Sequence, residues 1–145
     1  MVSSKRFKPV KRVAESREQK AAQALGSSQR AARNEEARLE ELRRYHKEYL
    51  DRFHDAARAG ISVAQLQEYR AFLRKLELAI GEQEKIVRES QQDCSTRKAL
   101  WQEKRQRNQA LGKVMDKFRS AEHKARDTRE QKETDDRNQR GGRRD

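Results

Sequence analysis

The side chains that could do chemistry are few and scattered. Three imidazoles, His46, His54 and His123, and one thiol, Cys94, are available for metal binding or nucleophilic work. His46 and His54 stand eight residues apart, too far along a helix to share one metal, and His123 is isolated. A single cysteine excludes an intramolecular disulfide and a thiolate cluster within one chain. There is no glycine-rich phosphate loop, no nucleophile elbow and no pair of carboxylates set for a cleft. Each histidine therefore reads as a tolerated polar residue and Cys94 as a small apolar one. Trp101 reads as an anchor within an otherwise polar stretch. The expectation is a protein with no catalytic residues, no cofactor and no metal: not an enzyme.

Composition limits what could position such groups. Of 145 residues, 41% are charged and 32% hydrophobic, and 36 Lys+Arg against 24 Asp+Glu give a net charge of +12. Leu, Ile, Val and Phe together number only 23, too few for the core of an ordinary globular domain. Two answers remain, a disordered polycation or a helical rod that buries a narrow apolar seam. One proline, six glycines and an abundance of strong helix formers favour the rod. No run of about 18 apolar residues is present to span a membrane. The basic N-terminus, Met1 to Lys8, lacks the apolar stretch of a secretory signal, so the expected compartment is the cytoplasm.

Periodicity decides for the rod. Leu66, Leu73, Ile80, Val87, Cys94 and Trp101 recur every seventh residue, Asn108 is polar, and Met115 resumes the row. A second row, offset by three, runs through Tyr69 and Leu76, turns polar at Gln83, Ser90, Arg97 and Lys104, and returns at Leu111 and Phe118. This 3-4 alternation is the pattern of a coiled-coil seam. A weaker row, Leu25, Ala32, Leu39, His46 and Phe53, with Leu50 and Ala57 interleaved, marks the first half. Gly60 is a natural helix stop, and Ser62 with Gln65 makes a capping box for the next helix. So short a connection predicts an all-α fold, two long helices in an antiparallel coiled-coil hairpin. The expected organisation is a basic extension at 1–10, a hairpin over 11–120 turning at 59–62, and a frayed or disordered charged tail at 121–145. A rod of two helices is expected to offer no concave pocket.

Charge and apolar residues are unevenly spread along this hairpin. Residues 1–34 are net +7, residues 35–96 net −2 and residues 97–145 net +7. Folding back once would gather a basic root that includes Lys5, Arg6, Lys8, Lys11, Arg12, Arg97, Lys104, Arg105 and Arg107. That surface suits an acidic protein or nucleic acid, or is simply a solvated charged face. Zinc-finger spacing, stacking aromatics and a basic region feeding a zipper are all missing, which disfavours specific nucleic-acid recognition. Near the turn, Leu42, Tyr45 and Tyr49 form a stripe beside the first seam row, and Phe72, Leu76, Ala79 and Gln83 form one on the second helix. Reflection about the turn sets these stripes at matching heights. They are expected to make one exposed partner-binding patch; the alternative is burial against a third helix or a second copy.

The spacing Leu39-x2-Leu42-x2-Tyr45-x3-Tyr49-x3-Phe53, a short turn at Gly60, then Tyr69-x2-Phe72-Leu73-x2-Leu76-x3-Ile80-x2-Gln83-x3-Val87, with Trp101 and Leu111 downstream, resembles the flagellar export protein FliJ family. The resemblance covers nearly the whole chain. It implies a cytoplasmic component of the flagellar type III export apparatus, held peripherally at the inner membrane at the flagellar base. It implies a hairpin similar to the rotary ATPase gamma-subunit shaft, seated in the hexameric export ATPase and promoting its assembly and activity. It further implies a link to the membrane export gate and to export chaperones. Gate binding carries over onto Leu42, Tyr45, Tyr49, Phe72, Leu76, Ala79 and Gln83, and ATPase contact onto the basic root. The competing expectation is a basic coiled coil that binds nucleic acid or ribosomes, and a third is a coiled coil that merely dimerises.

Overall fold

The computed structural model describes residues 4–142. A 3-10 turn, Ser4–Phe7, leads into helix α1, Lys8–Ala59, and helix α2, Val63–Gly142. No strand occurs among the described residues. The two helices pack antiparallel, as the 3-4 pattern requires. Pro9 sits in the first turn of α1, where its missing N–H breaks no helical hydrogen bond.

The turn is built by three residues. Gly60 takes φ +93°, a left-handed conformation that a side chain would strain, and its N–H donates to the Ala57 carbonyl at 3.3 Å. The Ser62 hydroxyl then accepts from the Gln65 N–H, and the Gln65 side-chain oxygen accepts from the Ser62 N–H, both at 3.1 Å. This reciprocal capping box satisfies two donors at the start of α2.

Contacts group the chain into two compact units. The terminal unit joins Met1–Ala21 to Trp101–Asp145, and the hairpin unit is Ala22–Leu100. In the hairpin unit the buried apolar residues are Leu25, Ala32, Leu39, Leu73, Leu76 and Val87. Ser28 and Gln83 are buried among them, each bonded across the seam. The Ser28 hydroxyl donates to Asp93 at 2.8 Å, and the Gln83 amide donates to the Glu35 carbonyl at 3.0 Å and its carboxylate at 2.6 Å. In the terminal unit the buried apolar residues are Ala14, Ala21 and Met115, with Phe7 stacked on Phe118 at 5.1 Å between ring centroids. Alanines and serines at so many seam positions let the two backbones come close.

Three boundaries differ from the sequence reading. The 3-4 series extends upstream through Ser4, Phe7, Lys11, Ala14, Glu18 and Ala21, all buried or half-buried, so the expected extension contributes Ser4 and Phe7 to the seam. At the other end α2 continues to Gly142 instead of fraying after residue 120. Residues 126–141 are exposed throughout, so this stretch is helical by backbone propensity and not by packing. In the first half a row through Ser28, Glu35, Leu42, Tyr49 and Ala56 is buried or half-buried; Leu50 is half-buried too, whereas Ala57 is exposed. Met1 to Ser3 and Arg143 to Asp145, the outermost parts of the expected extension and tail, lie outside the described residues.

Two glycines test these assignments with opposite signs. Gly60→Ala is expected to destabilise the fold by about 1 kcal/mol or more, because alanine resists positive φ. Gly81, within α2 and with open space around a built Cβ, is expected to gain up to about 1 kcal/mol on Gly81→Ala. Thermal unfolding followed by circular dichroism measures both.

Candidate functional site

The residues expected to form the patch near the turn fall into two groups. Tyr45 is 48% exposed, whereas Leu42, Tyr49, Phe72 and Ala79 are half-buried. Leu76 and Gln83 are buried in the seam, which corrects their expected place on the exposed stripe. Both stand on the second heptad row, Tyr69, Leu76 and Gln83, and that row rather than the stripe sets their position against α1.

What these residues build is an aromatic ladder across the two helices. Tyr45 meets Phe72 edge-on at 6.2 Å, and Phe72 lies 4.4 Å from Tyr49. Tyr49 in turn contacts Tyr69 at 5.4 Å, and Tyr69 contacts Phe53 at 5.4 Å. Tilted and edge-on contacts of this kind add stabilisation beyond area burial. Tyr45 is the most accessible member of the ladder, and the other rings are half-buried. Arg38, Glu41, Leu42, Tyr45 and Gln83 line a shallow depression beside it. Phe53 and Tyr69 were legible as seam residues, but their part in the ladder was not.

The expected basic set also divides. Lys5, Arg6, Lys8, Lys11, Arg12, Lys104, Arg105 and Arg107 belong to the terminal unit, whereas Arg97 belongs to the hairpin unit and is paired with Asp93 at 3.0 Å. Among the described residues the terminal unit holds 19 Lys/Arg against ten acids. Not all of its cations face solvent as free charges. The Lys11 ammonium donates to the Asn108 carbonyl at 3.0 Å and its side-chain oxygen at 2.6 Å, and the Asn108 amide donates to Glu18. Lys11 and Lys104 are half-buried, while Lys5, Arg6, Lys8, Arg12, Arg105 and Arg107 are exposed. The Arg105 guanidinium lies over the Trp101 ring at 5.3 Å, so the expected anchor doubles as a cation–π partner.

The 3-10 turn is tied down by one carboxylate. The Ser4 N–H donates to Glu122 Oε1 at 2.7 Å and its hydroxyl donates to Oε2 at 3.0 Å. The Ser4 backbone N–H, then its hydroxyl, hold the Glu122 carboxyl below the usual glutamate range. Asp93 is likewise lowered, first by the Ser28 hydroxyl and then by Arg97.

None of the imidazoles joins a metal-binding group. His46 is a half-buried seam residue whose Nε2 lies 3.5 Å from Glu77 but makes no well-formed hydrogen bond. His54 contacts only the Phe53 ring in the aromatic network, and exposed His123 lies 3.5 Å from Asp127. Cys94 is a half-buried free thiol. No group of three or more His, Cys, Asp or Glu capable of holding a metal occurs among the described residues. No helix among them is long and apolar enough to cross a membrane. The expectation that the rod lacks concavity fails in the terminal unit, where small residues on α1 leave an open groove of about 310 Å³ beside α2.

An antiparallel pair of long helices with an aromatic ladder and a basic surface defines a two-helix coiled-coil protein. The profile of the flagellar FliJ protein family matches residues 3–145, and the chain belongs to that family, a component of flagellar protein export. It is 29% identical over 127 residues to the flagellar FliJ protein of Escherichia coli (strain K12), covering 88% of this chain and 86% of that one. Comparison with solved structures gives no match.

The Glu122 clasp carries a pH prediction. Its folded carboxyl is lowered, so its contribution is fully present above the ordinary glutamate range and is lost as pH falls through and below that range. Protection of the amides at residues 4–8, measured against their intrinsic exchange rates, is expected to fall on acidification, and Glu122→Gln should lower it already at neutral pH while the turn at Gly60 stays protected.

Proposed function

We propose that this chain acts as a non-enzymatic stalk in the flagellar type III export apparatus. In this reading it inserts in the ring of the hexameric export ATPase, promotes ring assembly and activity, and links the ring to the membrane export gate and to export chaperones. Membership of the FliJ family supports the setting, and the antiparallel coiled coil supports the mechanical role. The observation that carries the reading is the separation of surface chemistry between units: 19 Lys/Arg against ten acids among the described residues of one, a cross-helix aromatic ladder in the other.

Each surface has a job suited to its physics. A basic face is attracted to an acidic ring lining, and long-range charge speeds encounter before contacts form. Arg6, Arg12 and Arg105 are exposed enough to meet such a lining directly. The gate would be met by Tyr45 with the accessible edges of Leu42, Tyr49, Phe72 and Ala79, aromatic residues being the usual anchors of a protein interface. Leu76 and Gln83 support this face from within the seam. One asymmetric rod inside a ring of six identical subunits removes their equivalence and can bias them toward different states. Held to the membrane through proteins, such a stalk would be a cytoplasmic, peripherally associated component.

Binding assays with the purified ATPase and the gate's cytoplasmic domain test both halves. Tyr45→Ala with Phe72→Ala is expected to weaken gate binding at least about tenfold, the loss of two interface anchors, while helicity stays near wild type. Arg6, Arg12 and Arg105 changed together to Gln should lower ATPase stimulation and its salt dependence without touching gate binding. Unchanged binding in either variant removes the corresponding half of the proposal. Tight, steeply salt-dependent binding of random DNA at physiological salt would instead favour the nucleic-acid alternative.

A further inference from the structure

The groove in the terminal unit has a chemistry of its own. Its apolar wall comes from Val10 and Val13 on α1, each 50% exposed, with Leu111 on α2. Arg17 on α1 and Lys104 and Arg107 on α2 stand around it, and none of its lining residues is acidic. Acids do occur on this stretch of α1, but they are engaged elsewhere: Glu15 lies 3.7 Å from the Lys11 ammonium and Glu18 accepts from Asn108. Along α1 the lining residues run from Pro9 to Arg17, which at about 1.5 Å per residue is roughly 12 Å, or two helical turns.

We infer that this groove docks an acidic amphipathic helix of a partner protein, whose apolar side chains seat on Val10, Val13 and Leu111 while its carboxylates meet Arg17, Lys104 and Arg107. The two-turn length accepts anchors at i, i+3 or i+4, and i+7, the spacing a helix presents to a groove. Apolar contact fixes the register of the incoming helix, and the cationic surround selects its sign of charge. A second copy of this chain does not suit the site, because an isologous contact would bring the same three cations against one another. Nucleic acid does not suit it either, since exposed valines offer phosphate nothing and no aromatic ring lines the groove for base stacking. The inference builds on the reading of this unit as a surface for acidic partners. Its test needs no export ATPase, so the two can fail separately.

The test is a titration of the full-length, 15N-labelled chain with a blocked 14-residue helical peptide carrying leucines on one face and glutamates flanking them. A control peptide has lysine in place of each glutamate. The acidic peptide is expected to shift amides confined to residues 10–17 and 104–111, and the lysine peptide to shift none of them. Val10→Ser with Val13→Ser leaves every charge in place and should weaken binding at least about tenfold by removing the apolar seat. Arg17, Lys104 and Arg107 changed together to Gln should weaken it at low salt and flatten its salt dependence. Absence of shifts in the groove, equal shifts with the lysine peptide, or unchanged affinity in the valine variant would overturn the inference. Displacement of the acidic peptide by random duplex DNA at physiological salt would overturn the choice of a protein partner.

Discussion

Two helices can bury apolar surface only along the line where they touch, and everything in this protein follows from how little that line holds. With no third layer, a side chain more than one position from the seam stays wet. The chain meets the constraint by filling much of the line with small residues. Ala14, Ala21, Ser28 and Ala32 allow close approach of the backbones, and larger groups such as Leu39, Leu73, Val87 and Met115 are spaced between them. Stability is thus distributed along many thin layers rather than concentrated in one core. Large aromatic rings cannot disappear into such a seam, so Tyr45, Tyr49 and Phe72 lean on one another and stay partly accessible.

The same constraint sets what the surface can do. Cleft chemistry needs depth, and neither unit encloses its histidines, its thiol or a grouped set of carboxylates among the described residues. What the surface carries instead is long-range charge and shallow apolar relief. Membership of the FliJ family fits that character, since an export component can work by contact alone. The aromatic ladder and the valine-lined groove are different kinds of relief. The first is made of rings in tilted and edge-on contact, the second is a gap left by small side chains beside exposed valines.

Much of this was legible in the residues. The second-helix rows from Leu66 to Phe118 mark buried or half-buried positions almost throughout, because a seven-residue repeat survives small errors in helix phase. Gly60, Ser62 and Gln65 declared the turn through local rules that need no tertiary context. The first helix was harder to read, since a seam of Ala, Ser and Glu does not stand out from a polar background. Ser4 and Phe7 were missed for that reason, although continuing the 3-4 count upstream from Leu25 would have reached them. Leu76 and Gln83 were counted both on the second seam row and on the exposed stripe, and the row is what decides their burial. The groove was not legible at all, since it arises from the space that Ala14 and Pro9 leave beside α2.

The contact of Lys11 and Glu18 with Asn108 has a mechanical consequence. An apolar seam lets one strand glide past the other by seven residues with modest loss, since leucine finds leucine again. A lysine ammonium seated on the carbonyl and side-chain oxygen of one particular asparagine has no equivalent seat a heptad away, where Trp101 or Met115 would take the place of Asn108. Longitudinal shear must therefore break this polar knot all at once, whereas gentle flexing leaves it whole. The terminal unit behaves as a latched pair, stiff against sliding and compliant in bending.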